Sequence, residues 1–328
     1  MNNNQKPITI LGAGAWGTAL ALYLSRFGQP VYLWSIETSQ VKDMAAERTN
    51  KQYLPGFPFP ESLHPEPDLT KAIAAAEDIL IAVPSVGYRD TLTQIKPLLS
   101  AQHRFLSVTK GMDMEKGQLL HATLREVLGE KYPYAVLSGP SFAKEVAAGL
   151  PTAVVIASQN KQLAQDMQQR FNSPLFRIDL SQDITGVEIG GIVKNVLAIA
   201  AGISDGMKLG ANARSALITR GLNEMILLGN ALGADTKTFE GLAGLGDLIL
   251  TCTDDLSRNR RFGLALGRNI SKDQAEREIG HVVEGKRNAE LIVQLAHKHA
   301  VNMRICEAVH NILQNKVNAQ EAMKDIFA

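Results

Sequence analysis

ITILGAGAWGTALALYLSRF, residues 8–27, decides the fold. A short apolar run, ITIL, meets three glycines spaced Gly12-x-Gly14-x-x-Gly17, and a helical pattern starts at once. In a strand–turn–helix unit each glycine has its own task. Gly12 permits the tight turn, Gly14 lets backbone approach a pyrophosphate, and Gly17 lets helix and strand pack closely. Ala15 and Trp16 lie inside this loop, where the N–H groups of the helix start would face an anion. A packing turn without a ligand uses the same residue types, so the rest of the chain has to decide between the two.

The texture of this opening repeats. Apolar runs recur as VYLW (31–34), DILIAV (78–83), FLSV (105–108), YAVL (134–137), AVVIA (153–157) and LFRI (175–178). Helical spacing lies between several of them, at 16–27, 88–99, 118–128 and 161–171. Continuous apolar runs suit strands covered on both faces, and strand alternating with helix predicts a mostly parallel sheet. The last interval or two is open to a hairpin. Past about residue 184 the strands stop, and helical patterns run over 185–203, 212–231, 240–250, 258–267, 271–279, 286–300, 305–314 and 319–327. Gly202, Gly233 and Gly267 are expected to end or interrupt helices. The expected plan is an α/β Rossmann-like dinucleotide-binding domain over 1–184 and an all-α substrate-binding domain over 185–328.

Composition narrows the function. The 328 residues are 45% hydrophobic, ample for a core, and 34 Lys plus Arg against 33 Asp plus Glu leave a net charge of +1. No overall field argues for nucleic acid or an anionic membrane as partner. Cys252 and Cys306 form no redox or metal pair, and the scattered histidines offer no metal-ligand spacing, so no metal is expected. The start, MNNNQK, reads as a solvated tail rather than a signal peptide, which makes the cytoplasm the default. The least charged stretch, 189–204, is interrupted by Lys194 and is short for a membrane span. Without a G-x-S-x-G element or a lysine-bearing phosphate loop, hydride transfer is the chemistry left.

Candidate residues gather at the strand ends and in the second half. Val83-Pro84-Ser85, Thr109-Lys110-Gly111 and Ser138-Gly139-Pro140-Ser141 share the glycine loop's edge if their strands are parallel. Lys110 is the charge among them, suited to a phosphate or a reacting carbonyl, or merely solvated. Ser141 suits the cap of a helix over 142–148. Lys194 is the sole charge between Glu188 and Asp205. A lysine on an apolar helix either snorkels or works, and desolvation lowers its pKa into the range of a proton donor. Asn195 beside it is placed to orient a ligand. Asp247 is either the ion partner of Lys194 or a solvent-facing charge at a helix start. Ser257-Arg258-Asn259 reads as a cap, a helix start and an arginine, a site for a small phosphate group. Arg260 and Arg261 read as a solvated charge run.

Taken together, GAGAWGTALA, VTKG (108–111), LSGPSFAKEV (137–146), GGIVKNVLAIAAGISDG (190–206), GLAGLGDLILTC (241–252), SRNRRFG (257–263) and VVEG (282–285) resemble the bacterial NAD(P)-dependent glycerol-3-phosphate dehydrogenases. The resemblance implies reversible reduction of dihydroxyacetone phosphate to sn-glycerol 3-phosphate, feeding glycerophospholipid synthesis, in a homodimer. It also implies roles. Lys194 is the acid/base, and Asp247 sits beside it and contacts substrate. Lys110 contacts cofactor and substrate. Gly139 and Ser141 lie along the substrate, and Ala143 touches the cofactor. Ser257, Arg258 and Asn259 hold the phosphate, with Arg258 also near the cofactor. Val283 and Glu284 approach the nicotinamide, and Ala15 and Trp16 belong to the pyrophosphate loop. One departure stands out. Many relatives carry a basic residue at the position of Ser35 or Ile36, whereas here both are uncharged and Glu37 follows. An acid after the second strand favours NAD, so use of either NAD or NADP is expected.

Overall fold

The computed structural model describes residues 6–280 and 282–327, so the polar tail over 1–5 lies outside the described residues. Two compact units divide the chain. One runs to Thr109 and resumes over Gln118–Ile184; the other joins Lys110–Gly117 to the chain from Thr185 onward.

The first unit holds ten strands: β1 (Ile8–Leu11), β2 (Val31–Trp34), β3 (Thr49–Asn50), β4 (Leu54–Pro58), β5 (Leu63–Pro65), β6 (Asp78–Ile81), β7 (Arg104–Ser107), β8 (Tyr134–Ser138), β9 (Thr152–Ala157) and β10 (Phe176–Ser181). Its helices are α1 (Ala15–Ser25), α2 (Thr38–Glu47), α3 (Leu69–Ala74), α4 (Tyr88–Ile95), α5 (Leu120–Leu128), α6 (Ala143–Ala148) and α7 (Lys161–Phe171). Eight strands form one sheet in the order β10-β9-β8-β7-β6-β1-β2-β5, and β3 and β4 pair separately. Within the eight-stranded sheet neighbours are parallel except β8 and β9, which run antiparallel with Leu137 opposite Ile156, while the separate β3–β4 pair is also antiparallel. The expected hairpin-like interval is therefore real, but a helix, α6, lies inside it. β5, β3 and β4 carry no apolar run long enough to announce a strand.

The strand order reverses at β1, between β2 on one side and β6 on the other. This is the switch point at which open α/β sheets hold ligands. α1 is buried from Gly17 to Ser25, with α6 packed along it. That explains why its sequence is apolar all round.

The second unit is helical: α8 (Ile184–Gly206), α9 (Ala211–Ala231), α10 (Thr236–Glu240), a π-turn over Leu242–Gly246, α11 (Asp247–Thr253), α12 (Arg258–Gly267), α13 (Lys272–Ile279), α14 (Glu284–Lys298), α15 (Arg304–Leu313) and α16 (Ala319–Phe327). The single helix expected over 240–250 is thus two elements with a π-turn at the junction. α8 spans 23 residues and is long and apolar enough to cross a membrane, but its most apolar window is entirely buried in the protein. Gly202 does not interrupt it. A Cβ there would lie 2.2 Å from the carbonyl oxygen of Arg260, so the glycine admits α12 rather than ending α8. Gly263 and Gly267 return the contact, each able to hold a Cβ only 2.1 and 2.3 Å from the carbonyls of Ile199 and Ile203.

Candidate active site

In the first unit the glycine loop follows β1 directly. Gly12 has φ +115°, and a Cβ on it would lie 2.7 Å from the carbonyl carbon of Ala82, where β6 ends. A Cβ on Gly17 would sit 1.9 Å from the Gly12 carbonyl oxygen, so loop and helix close only over glycine. Gly14 is different: a Cβ there meets nothing within 4 Å. It opens α1 with no capping side chain, leaving the first N–H groups of the helix to an outside acceptor. Trp16 Nε1 is buried without a hydrogen-bond partner. A cradle open at Gly14, uncapped N–H groups and an orphan indole donor fit a dinucleotide pyrophosphate.

The loop is also held from behind. Gln40 Nε2 and Asn50 Nδ2 donate to the Ala13 carbonyl at 2.9 and 2.8 Å. Sequence reasoning passed over both residues, since a buried amide in an ordinary helix or short strand carries no motif. After β2, Ser35 is buried and Ile36 exposed, and Glu37 opens α2 and accepts from Tyr53 Oη at 3.3 Å.

Ser141 corrects its sequence reading. Phe142, not Ser141, precedes α6, and it provides no capping side chain. The Ser141 hydroxyl instead donates to the Gly139 carbonyl at 2.9 Å. Gly139 has φ +138°, with Val154 so close that a Cβ would lie 2.9 Å from its Cα. Ala143 opens α6 and packs on the apolar core.

The helical unit carries the ionisable cluster. Lys194, 6% exposed at the centre of α8, donates to Asp247 Oδ1 at 2.5 Å and to Thr251 Oγ1 at 2.8 Å. Lys110 donates to the other oxygen, Asp247 Oδ2, at 2.6 Å. Asp247 is 1% exposed, so of its two readings the ion partner is correct and the solvent-facing charge is not. Lys110 likewise is paired rather than merely solvated. Burial and the nearby Lys110 push the Lys194 ammonium down from 10.5 to about 8, against the opposing pull of Asp247. Burial alone would raise the Asp247 carboxyl, but the two ammonium groups hold it below the usual carboxylate range. Thr251 is a contact of the lysine that sequence reasoning missed. Its place four residues after Asp247 on a helix was the available signal.

Local backbone explains why Asp247 meets Lys194 across 53 residues of sequence. A Cβ on Gly190 would fall 2.2 Å from the Ala243 carbonyl oxygen in the π-turn. Gly190 stands four residues before Lys194, and Ala243 four before Asp247. Two elements in backbone contact at one turn therefore present lysine and aspartate to each other at the next. Such π-turns interrupt helices frequently at functional sites.

At α12, Ser257 Oγ accepts from the Arg260 N–H at 3.2 Å as the helix cap. Both polar atoms of the Asn259 side chain are engaged: its Nδ2 donates to Asn195 Oδ1 at 2.9 Å, and its Oδ1 accepts from the Gly285 N–H at 2.9 Å. What the helix start offers an anion is then the main-chain N–H groups of Arg258 and Asn259 together with the Arg258 guanidinium, whose pKa burial lowers. Glu284, at the start of α14 after Val283, lies within electrostatic reach of Arg258. Arg260 is not part of a solvated run. It is buried, pairs with Asp205 and, at 2.9 Å, with Asp255, and so braces α12 from inside.

Comparison with known proteins supplies the remaining findings. The family model of the NAD-dependent glycerol-3-phosphate dehydrogenase N-terminus matches residues 7–164, and that of the C-terminus matches 183–324. A glycerol-3-phosphate dehydrogenase [NAD(P)+] of Actinobacillus pleuropneumoniae serotype 3 is 53% identical over 322 residues, covering 98% of this chain and 96% of the relative. One from Salmonella paratyphi B is 50% identical over 323 residues, covering 98% and 95%. The crystal structure of glycerol-3-phosphate dehydrogenase from Coxiella burnetii superposes with a TM-score of 0.96 at 50% identity, covering 99% of each chain.

Proposed function

This chain belongs to the NAD(P)-dependent glycerol-3-phosphate dehydrogenase family and interconverts dihydroxyacetone phosphate and glycerol 3-phosphate; on that premise we propose that Lys194 is its acid/base. The observation that carries the assignment is a buried ammonium on an apolar helix, bonded to Asp247 and Thr251, with its pKa brought down to about 8. A group that titrates near working pH can both give and take a proton.

The dinucleotide, when bound, supplies hydride exchange with C2 of the substrate. The protein's residues do the rest. As charge grows on the carbonyl oxygen during reduction, the Lys194 ammonium stabilises it and then donates the proton. Asp247 fixes the ammonium, and Lys110 adds a second positive charge beside the carboxylate. Arg258 and the N–H groups of Arg258 and Asn259, capped by Ser257, take the substrate phosphate, which sets the ketone's orientation. Gly139 and Ser141 flank the substrate. Gly12, Gly14, Ala15, Trp16 and Gly17 take the pyrophosphate, while Lys110, Ala143, Arg258, Val283 and Glu284 complete the cofactor contacts. The α/β unit is in this reading the dinucleotide-binding domain and the helical unit the substrate domain. The enzyme works as a cytoplasmic homodimer that supplies the glycerophospholipid backbone.

Oxidation of NADH and of NADPH, with and without dihydroxyacetone phosphate, tests substrate and cofactor together. Turnover with both cofactors is expected, since neither Ser35 nor Ile36 offers a charge to a 2′-phosphate. A large preference for NADPH would refute that relaxed selectivity. Arg258→Ala should raise KM for dihydroxyacetone phosphate strongly; an unchanged KM would remove Arg258 from the phosphate site. Sedimentation equilibrium checks the dimer.

A further inference from the structure

We infer that Gln40 and Asn50 act as positioning residues for the cofactor, turning the peptide between Ala13 and Gly14 so that its N–H faces the pyrophosphate. The inference rests on the reading that the glycine loop binds that group. Three side chains donate to one carbonyl, that of Ala13: Gln40 Nε2 at 2.9 Å, Asn50 Nδ2 at 2.8 Å and Thr18 Oγ1 at 3.4 Å. Gln40 is 6% and Asn50 1% exposed, so both amides are committed to the interior. Burying them unpaired would be unfavourable, and the Ala13 oxygen is where their donors go.

The peptide is trans. In a trans peptide the C=O and N–H point in opposite directions. A carbonyl held towards Gln40 and Asn50 therefore sends the Gly14 N–H the other way, off the side that those two amides occupy. A glycine-rich loop can flip such a peptide at little steric cost. Flipped, it would present an oxygen to an anion instead of a donor. The two amides remove that alternative before the cofactor arrives, so less ordering is left to binding.

Their origin fits the task. Gln40 lies in α2 and Asn50 in β3, the segment that follows Glu37. Asn50 Nδ2 also donates to Thr18 Oγ1 at 2.8 Å, and its Oδ1 accepts from the Tyr53 N–H at 3.2 Å. Asn50 is thus fixed at both ends, whereas the Gln40 side chain makes a single bond among the described residues, to the loop.

The test uses the whole enzyme with Gln40→Met and Asn50→Leu, which keep bulk and add no charge. ADP-ribose, NADH and adenosine are the probes, measured by calorimetry and by competition. Each variant should weaken ADP-ribose and NADH roughly tenfold, the size of one lost hydrogen bond, and leave adenosine binding unchanged. Turnover at saturating NADH should stay within twofold while KM for NADH rises. Gln40→Met protects the test if Asn50→Leu fails to fold, because among the described residues the Gln40 side chain bonds only to the Ala13 carbonyl. Unchanged ADP-ribose affinity in a folded Gln40→Met enzyme overturns the proposal, and so does an equal loss for adenosine. ADP-ribose failing to bind the unaltered enzyme more tightly than adenosine would instead refute the glycine-loop reading beneath it.

Discussion

A buried ionic cluster in the α/β unit and another in the helical unit use the same attraction to opposite ends. In the α/β unit Arg104 grips Asp78 with two bonds, of 2.7 and 2.9 Å, and reaches Asp166 at 2.5 Å. Arg170 binds Asp78 at 2.8 Å, the Lys6 carbonyl at 2.9 Å and Gln29 Oε1 at 3.1 Å. Two arginines answer two aspartates, and arginine stays charged at any working pH. This cluster ties the first residues of β6 and β7 to α7 and, through Lys6 and Gln29, to the segments that lead into β1 and β2. In the helical unit one carboxylate is divided between two lysines, and one of those lysines is brought within reach of neutrality. A side chain that cannot titrate serves permanence, and one that can serves proton transfer. The choice between them, not burial or ion pairing alone, separates a brace from a site.

Arg170→Met attacks the brace. It leaves Asp78 short of a buried partner and should cost about 3–5 kcal/mol of stability in urea unfolding, with turnover per folded molecule intact. A normal urea midpoint would count against the brace; lost turnover in folded enzyme would count against the contrast. Lys194→Met attacks the site. It should fold and bind cofactor while turnover falls roughly 100-fold or more, about 2.7 kcal/mol of barrier. Near-normal turnover would take Lys194 out of the mechanism.

The pH dependence sharpens the difference. Lys194 titrates at about 8 in the folded enzyme against an ordinary 10.5. Ketone reduction, which needs the ammonium, should fall as pH rises through about 8, and alcohol oxidation, which needs the amine, should rise through the same midpoint. The unfolded chain holds this proton more tightly, so the group's contribution to stability grows as pH rises from about 8 towards 10.5. Lys194→Met should abolish both trends, and Arg170→Met neither. The smallest effect belongs to Gly190→Ala. Pushing back the π-turn lengthens the Asp247–Lys194 contact, and the midpoint should drop by about one unit. A midpoint that stays or rises would show that the turn does not set the contact.

The α/β half was legible because its long buried strands and its glycine spacing are local signals. β3, β4 and β5 were not, since two to five residues without an apolar run resemble any loop. At the site, Lys194 was conspicuous as a charge in an apolar helix. Its partner was ambiguous because the contact depends on how the π-turn packs on Gly190, which no local pattern encodes. Ser141 had a capping residue's chemistry, yet its hydroxyl turned back to Gly139. Arg260 looked solvated beside two acids because the second of its partners, Asp205, is 55 residues away. The sequence reveals which groups are unusual; tertiary packing decides whom they meet.

α8 has a further consequence during synthesis of the chain. As it leaves the ribosome, Ile184–Gly206 is an unburied apolar segment of membrane-spanning length. Lys194 lies at its middle, where a charged residue raises the free energy of insertion into a bilayer by about 2.5–3.5 kcal/mol. The lysine proposed to protonate the substrate in the finished enzyme thus also raises the cost of placing this helix in lipid before its own core has formed.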